Sequence, residues 1–411
     1  MQRVNKMYHT LFAIMTVIFV SLDSKYSIPG DTILRWILPA LMLGAILLQN
    51  NTLMLPKLPL YIPMLVLFFA TTFRSMDIVY SISRFISLFL MTLTFYNYFK
   101  ALKNVEEMFV SLKIMGVVLL IYELLNIIFL DWAGGEDRAQ GITGNPNSLG
   151  VFSNVAFLFA LLFFLFSDKN WKKWLCILFM LMSTITAIAS GSRTYTVSIL
   201  INIFFATQLI LKKKTRVYFW LIFIAIIILG FSFFQDLLLR LPGINRLIEV
   251  GADRGLIWTA GLKLVRQKPI FGWGYGISAK LNTKQYLGYI KDYGDYGLAF
   301  HNSYLTILIE TGIVGLMLIL FMVGAIFIQG IIFAKKSKDK RIKIIVMLVF
   351  IMLLCFYGCS AMNSVGSTEG FVFWASIIWL QVFMNKYSQG DAQILHDYLK
   401  ISSSKQRGNI K

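Results

Sequence analysis

Four short stretches of this chain hold residues suited to gripping a phosphate ester and reading a sugar. Arg138 stands just before "GITGNPNSLG", which carries Asn145 and Asn147. Arg193 closes "SGSR", Arg254 opens "RGLIW", and His301 with Asn302 begins the long apolar run "HNSYLTILIETGIVGL". A planar guanidinium matches paired phosphate oxygens and keeps its charge in a low-dielectric pocket. Histidine can take a proton from a hydroxyl near neutral pH. Asparagine and tyrosine read sugar hydroxyls, while Trp258, Trp273 and Tyr275 offer rings that stack on sugar faces or sit at an interface. Together these residues would suit a ligand with a diphosphate head and sugar hydroxyls.

Each stretch also has a structural reading. "GNPN" is a turn and helix start in which Asn147 is able to cap the following helix. "SGSR" makes a tight hairpin, Arg193 can snorkel to headgroups, and Arg254 can be a solvated loop charge. A lone interfacial histidine is often just a satisfied polar residue. Arg84, inside an apolar run, calls for a carboxylate or backbone carbonyls. Glu310 lies nine positions after His301, on the opposite face of a continuous helix and about 13 Å deeper, where it holds a neighbouring helix.

The elements that must position these groups are membrane helices. Of the 411 residues, 57% are hydrophobic and 14% charged, and the mean hydropathy is +0.70. Those values lie outside the globular range and within that of polytopic membrane proteins. Apolar runs long enough to cross a bilayer recur from end to end, giving about twelve candidate spans: 7–22, 32–49, 58–73, 76–99, 108–130, 147–167, 173–190, 194–211, 216–234, 301–334, 342–361 and 370–385. The 301–334 run exceeds the length of one span, so it is tilted or continues past the interface. Residues 1–411 therefore read as a single all-α integral membrane domain. The first run lacks a small-residue cleavage pattern and reads as a retained helix. Cys176, Cys355 and Cys359 lie in apolar runs without a metal-binding grouping.

The formal net charge of +19 is mostly topological. Alternate connections hold Lys6, Lys57, Lys100 and Lys103, "KNWKK", "KKKTR", "KKSKDKR" and the tail 386–411, while the others carry about one cation each. By the positive-inside rule both termini are cytoplasmic, and nucleic acid is excluded as a partner. Residues 235–300 form one long extracytoplasmic loop, in which 256–266 reads as an amphipathic helix and the glycines after Pro269 as a structured turn. Under this topology all the polar stretches face the same external side.

"RAQGITGNPNSLG", "SGSRT", "DRGLIWTAGLKLVRQKPIFGWGYG" and "HNSYLTILIETGIVGL", in this order, resemble the O-antigen ligase and polymerase superfamily of bacterial membrane glycosyltransferases. The recognisable motifs cover 138–317. The His-Asn start followed by Glu310, Gly312 and Gly315 is the most specific, with Arg254, Trp258, Pro269, Gly272 and Gly274 next. The resemblance implies a GT-C-like membrane enzyme that takes a glycan from undecaprenyl diphosphate at the outer face of the bacterial cytoplasmic membrane, without metal, nucleotide sugar or other cofactor. It further implies that Arg254 and Arg193 bind the donor diphosphate, that His301 acts as base or phosphate contact, and that Arg138, Asn145 and Asn147 belong to a motif that binds substrate or shapes the turn. By their side-chain chemistry Asn302, Trp258 and Tyr275 are further candidates for binding substrate.

The acceptor stays open on the sequence. A polymerase for a capsule, exopolysaccharide or O-antigen passes the glycan to the next lipid-linked repeat unit, with a chain-length regulator as a possible partner. A ligase passes it to a different lipid, wall polymer or protein. A lipid-linked oligosaccharide flippase would instead place ionisable residues near the bilayer midplane, often within repeats, and neither pattern is visible here.

Overall fold

The computed structural model describes residues 2–21, 31–50, 52–131, 138–225, 253–281, 300, 302–336 and 368–387. Of these, 84% are helical, and no strand occurs among them. The helices are α1 (Gln2–Ser21), α2 (Asp31–Asn50), α3 (Tyr61–Thr72), α4 (Ile78–Ala101), α5 (Val105–Ile128), α6 (Pro146–Phe166), α7 (Asn170–Ala189) and α8 (Arg193–Ile210). After them come α9 (213–225), α10 (Asp253–Gln267), α11 (Ser303–Lys336) and α12 (Thr368–Lys386).

Five described helices, α4, α5, α6, α7 and α11, are long and apolar enough to cross a membrane, and Lys6–Ser21, Ile33–Gln49 and Tyr61–Thr72 are shorter apolar helices. The chain is an integral membrane protein by this measure. The expected spans one to eight coincide with α1 to α8, and the twelfth with α12. Of the ninth only the part to residue 225 is described, and the eleventh, 342–361, lies outside the described residues.

Burial sorts the helices into inner and outer ones. Leu149–Leu162 of α6 are buried without interruption, as are Phe371–Met384 of α12. A helix that is apolar all round belongs inside the bundle. By contrast, α7 turns Trp171, Trp174, Leu178, Leu181 and Ile185 outward, as a lipid-facing helix does. Aromatic packing ties the centre together. Phe371 stacks on Phe19 at 4.7 Å and meets Phe95 edge-on at 5.0 Å.

Short connections make sequence neighbours antiparallel, so polar residues segregate to two ends. At one end Lys386 Nζ donates to the carbonyls of Lys100 and Leu102, joining the lysine-bearing ends of α4 and α12. The opposite end holds the start of α4, the α6 turn, the α7–α8 hairpin and the start of α11.

The long α11 is broken. Gly312 sits at φ 68°, ψ −171°, a region that only glycine enters readily. A break frees carbonyls before it and amides after it, and these need partners. Residues 268–276, which follow α10, supply them as a strap. Ile309 and Glu310 carbonyls accept from Trp273 and Gly274 amides at 2.9 and 2.8 Å, and the Ile313 amide donates to Pro269 O at 2.8 Å. A Cβ on Gly312 would lie 2.1 Å from Ile270 O. The part after the break, 313–336, is still roughly 36 Å long at 1.5 Å per residue, enough for a span by itself. The overlong apolar run therefore resolves into a short helix, 303–311, ahead of a full-length one.

Candidate functional site

The first polar group is built on the start of α6. Asn145, in extended conformation, accepts a hydrogen bond on its side chain from the Asn147 amide at 2.8 Å, with Pro146 in the first helical turn. The cap is thus Asn145 rather than Asn147, because proline takes the position whose amide needs no partner. This leaves the Asn147 side chain for Arg138. Arg138 Nη2 donates to Asn147 Oδ1 at 3.1 Å and its Nε to the Ser190 carbonyl at 3.0 Å. One guanidinium therefore pins the α6 turn to the α7–α8 hairpin, whose next helix begins with Arg193. Gly141 permits this approach. Its φ is 57°, and a Cβ there would lie 2.7 Å from Asn126 Oδ1.

Beneath this corner lies a buried polar seam between α5, α6 and α7. Thr186 donates to Glu123 Oε1 at 2.6 Å and lies 2.8 Å from the Ser153 hydroxyl. Glu123 and Asn126 are fully buried. Beside the seam an apolar cavity of about 440 Å³ opens between α1 and α5, lined by Val17, Val20, Ile121, Leu125 and Phe129 and ending on Ile142, in the turn after Arg138.

The second group is built on the strap. Trp258 Nε1 donates to Phe300 O at 3.0 Å, and Trp273 Nε1 to Leu264 O at 3.0 Å. Asn302 caps α11, its Oδ1 accepting from the Leu305 amide at 3.1 Å. Tyr275 is turned into the core, stacked on Phe68 at 4.7 Å. Burial raises its phenol well above the ordinary tyrosine range, and the charge of Glu310 adds to the shift. Tyr275 thus supports the strap and offers no ring to a sugar.

Glu310 is buried too. Its Oε1 accepts from the Ser278 hydroxyl at 2.5 Å and the Ser278 amide at 3.2 Å, and it feels the charge of Arg84. Arg84 packs its stem on Gly276, where a Cβ would come within 2.7 Å. The arginine's carboxylate is therefore near the end of the bundle, since α4 reaches Arg84 in its second turn and Glu310 precedes the full-length part of α11. Lys280 pairs with Asp77, which caps α4. That hydrogen bond, with one from the Tyr80 amide, holds the Asp77 carboxyl below its usual range.

Of the sequence-derived site residues, Arg138, Arg193, Asn145 and Asn147 come together at one corner. Trp258 and Asn302 flank the junction of α10 with α11. Arg254 lies in the first turn of α10, and His301 falls outside the described residues. Ser190, Ser278 and Glu310 complete the two groups. Ser190 takes part through its backbone, which no side-chain pattern announces.

Residues 177–320 match the model of the O-antigen ligase family. This match supports the likeness to the O-antigen ligase/polymerase superfamily. The matched stretch runs from within α7 through Arg193, α10 and the strap to the full-length part of α11. It takes in the hairpin, the broken helix and the strap that repairs it. Members of this family are ligases and polymerases of the glycosyltransferase type, which supports an enzyme at that coarse level of description. No curated protein matches the chain.

Proposed function

We propose that the chain is a polysaccharide polymerase of the bacterial cytoplasmic membrane, transferring a glycan from undecaprenyl diphosphate to the next lipid-linked repeat unit. The observation that carries this reading is the Arg138 bridge, which sets two arginines on one α6–α8 corner with an apolar cavity beside it. A diphosphate on that corner would have its isoprenoid chain at hand in the α1–α5 cavity. The topology keeps its sequence-based form: both termini cytoplasmic, 235–300 on the outer side, and 386–411 a cytoplasmic tail.

In the step itself, the acceptor hydroxyl oxygen attacks the anomeric carbon, and the bond from that carbon to the diphosphate oxygen breaks. The hydroxyl proton passes to a base, the role assigned to His301, and undecaprenyl diphosphate leaves with the bonding pair. Negative charge grows on the diphosphate as this occurs. Fixed guanidinium groups from Arg193 and Arg254 stabilise it, each contributing about 3 kcal/mol. No metal or nucleotide sugar takes part in this scheme.

The test is synthesis by the purified protein from its lipid-linked repeat unit alone. A ladder of products that disappears in His301→Ala supports the polymerase. Transfer only after a separate acceptor is added makes the enzyme a ligase, and no bond formation in either format overturns the glycosyltransferase reading for transport.

A further inference from the structure

Among the described residues, four cations crowd the corner where the strap meets α3 and α4, and they divide into two kinds. Lys280 pairs with Asp77, and Arg84 faces Glu310. Arg74 and Lys268 form no ion pair with any carboxylate among the described residues. Both instead lie over aromatic rings. Arg74 Cζ is 5.8 Å from the Phe271 centroid, and Lys268 Nζ is 4.0 Å from that of Trp273. Arg74 is exposed, and Phe271 is 42% exposed, so the pair opens outward. Burial and the charge of Arg74 hold the Lys268 ammonium below its usual range. Two like charges held together against aromatic faces gain most from a shared polyanion.

We infer that Arg74 and Lys268, backed by Phe271 and Trp273, form a second diphosphate-binding site that takes the head of the acceptor lipid. This rests on the polymerase reading, in which two lipid diphosphates meet in one enzyme. The α6–α8 corner serves the diphosphate that is cleaved. The strap corner, carried by different helices, serves the one that stays intact, and no bond to it forms or breaks. Exposed Ile270 and Phe271 put the site where a lipid head would rest.

The test is the binding stoichiometry of radiolabelled farnesyl diphosphate on the full chain in phosphatidylcholine nanodiscs. Two equivalents per chain are expected, with Arg74→Ala/Lys268→Ala weakening one at least tenfold and Arg138→Ala/Arg193→Ala weakening the other. The swap Arg74→Lys/Lys268→Arg should restore both. A wild-type value of one or less overturns the inference, as does a double alanine variant that still binds two. Complete displacement of the second equivalent by phosphatidylglycerol also overturns it, because the site is then a general anchor for anionic lipid headgroups. Failure of polymerase activity reads out separately. A chain that makes no polymer yet loses one equivalent in Arg74→Ala/Lys268→Ala keeps the binding site and discards the acceptor assignment.

Discussion

The amide of Ile313 donates to the carbonyl of Pro269 at 2.8 Å, across the break in α11. Helix and strap thereby complete each other's backbone bonding at the end of the bundle where Arg84, Glu310 and Asn302 stand. Gly312→Ala should undo this. The backbone strain of a side chain at φ 68° costs about 1–3 kcal/mol, and the contact with Ile270 O adds to it. A marked fall in the thermal midpoint in detergent is expected. An unchanged midpoint would mean that the break does not persist in the folded protein.

Arg138→Lys keeps the charge and loses the fork that reaches Ser190 O and Asn147 Oδ1 together. A lysine is a point donor and cannot satisfy both in that geometry. Product formation should drop at least about tenfold, since hydrogen bonds to a charged group are worth about 1.5–3 kcal/mol. Wild-type turnover in Arg138→Lys would show that only the charge matters at this corner.

Asn145 separates capping from substrate contact. Loss of the cap in Asn145→Ala should cost about 1 kcal/mol of stability. Asn145→Asp and Asn145→Ser cap equally well and should keep activity near wild type. Activity lost in those two variants, with stability intact, would return Asn145 to the substrate.

The segment just after the strap, held by Lys280, should loosen in acid. Asp77 has a depressed carboxyl in the folded chain, so its contribution is complete above the ordinary aspartate value of about 3.9. It disappears as pH falls through the lower folded value. The melting difference between wild type and Asp77→Asn should therefore be constant near neutrality and shrink below about pH 4. A difference that grows in acid would contradict the assigned pairing with Lys280.

Arg254→Lys tests the donor site independently of Arg138. If Arg254 grips diphosphate through its fork, chain extension should fall severely while the protein remains folded in the membrane. Normal polymer lengths on a gel would leave Arg254 as a solvated charge.

Much of this arrangement was legible in the sequence because it depends on local chemistry. Pro269 with its glycines announced the strap's turn, "SGSR" the hairpin, and Asn-Pro-Asn a helix start. The cap moved from Asn147 to Asn145 because Pro146 already claims the first helical turn. The break at Gly312 was hidden, since a glycine in an apolar run is ordinarily absorbed by a continuous helix. Its conformation is dictated by carbonyls from another segment. Glu310 lies ahead of that break, and it holds neighbouring segments as its sequence position suggested, through Ser278 and the charge of Arg84. Arg74 carried no signal, being one cation in a short connection until folding brings Lys268 beside it.

The mutual repair of α11 and the strap also sets an order of biogenesis. Residues 268–276 leave the ribosome before Ser303–Lys336, so the partners for the broken turn already exist when α11 arrives. A chain truncated between the two would carry a strap with unanswered amides at Trp273 and Gly274. A chain lacking the strap would deliver an α11 whose break at Gly312 has no partners for its freed backbone groups. Insertion of α11 and closure of this corner are therefore expected to be coupled.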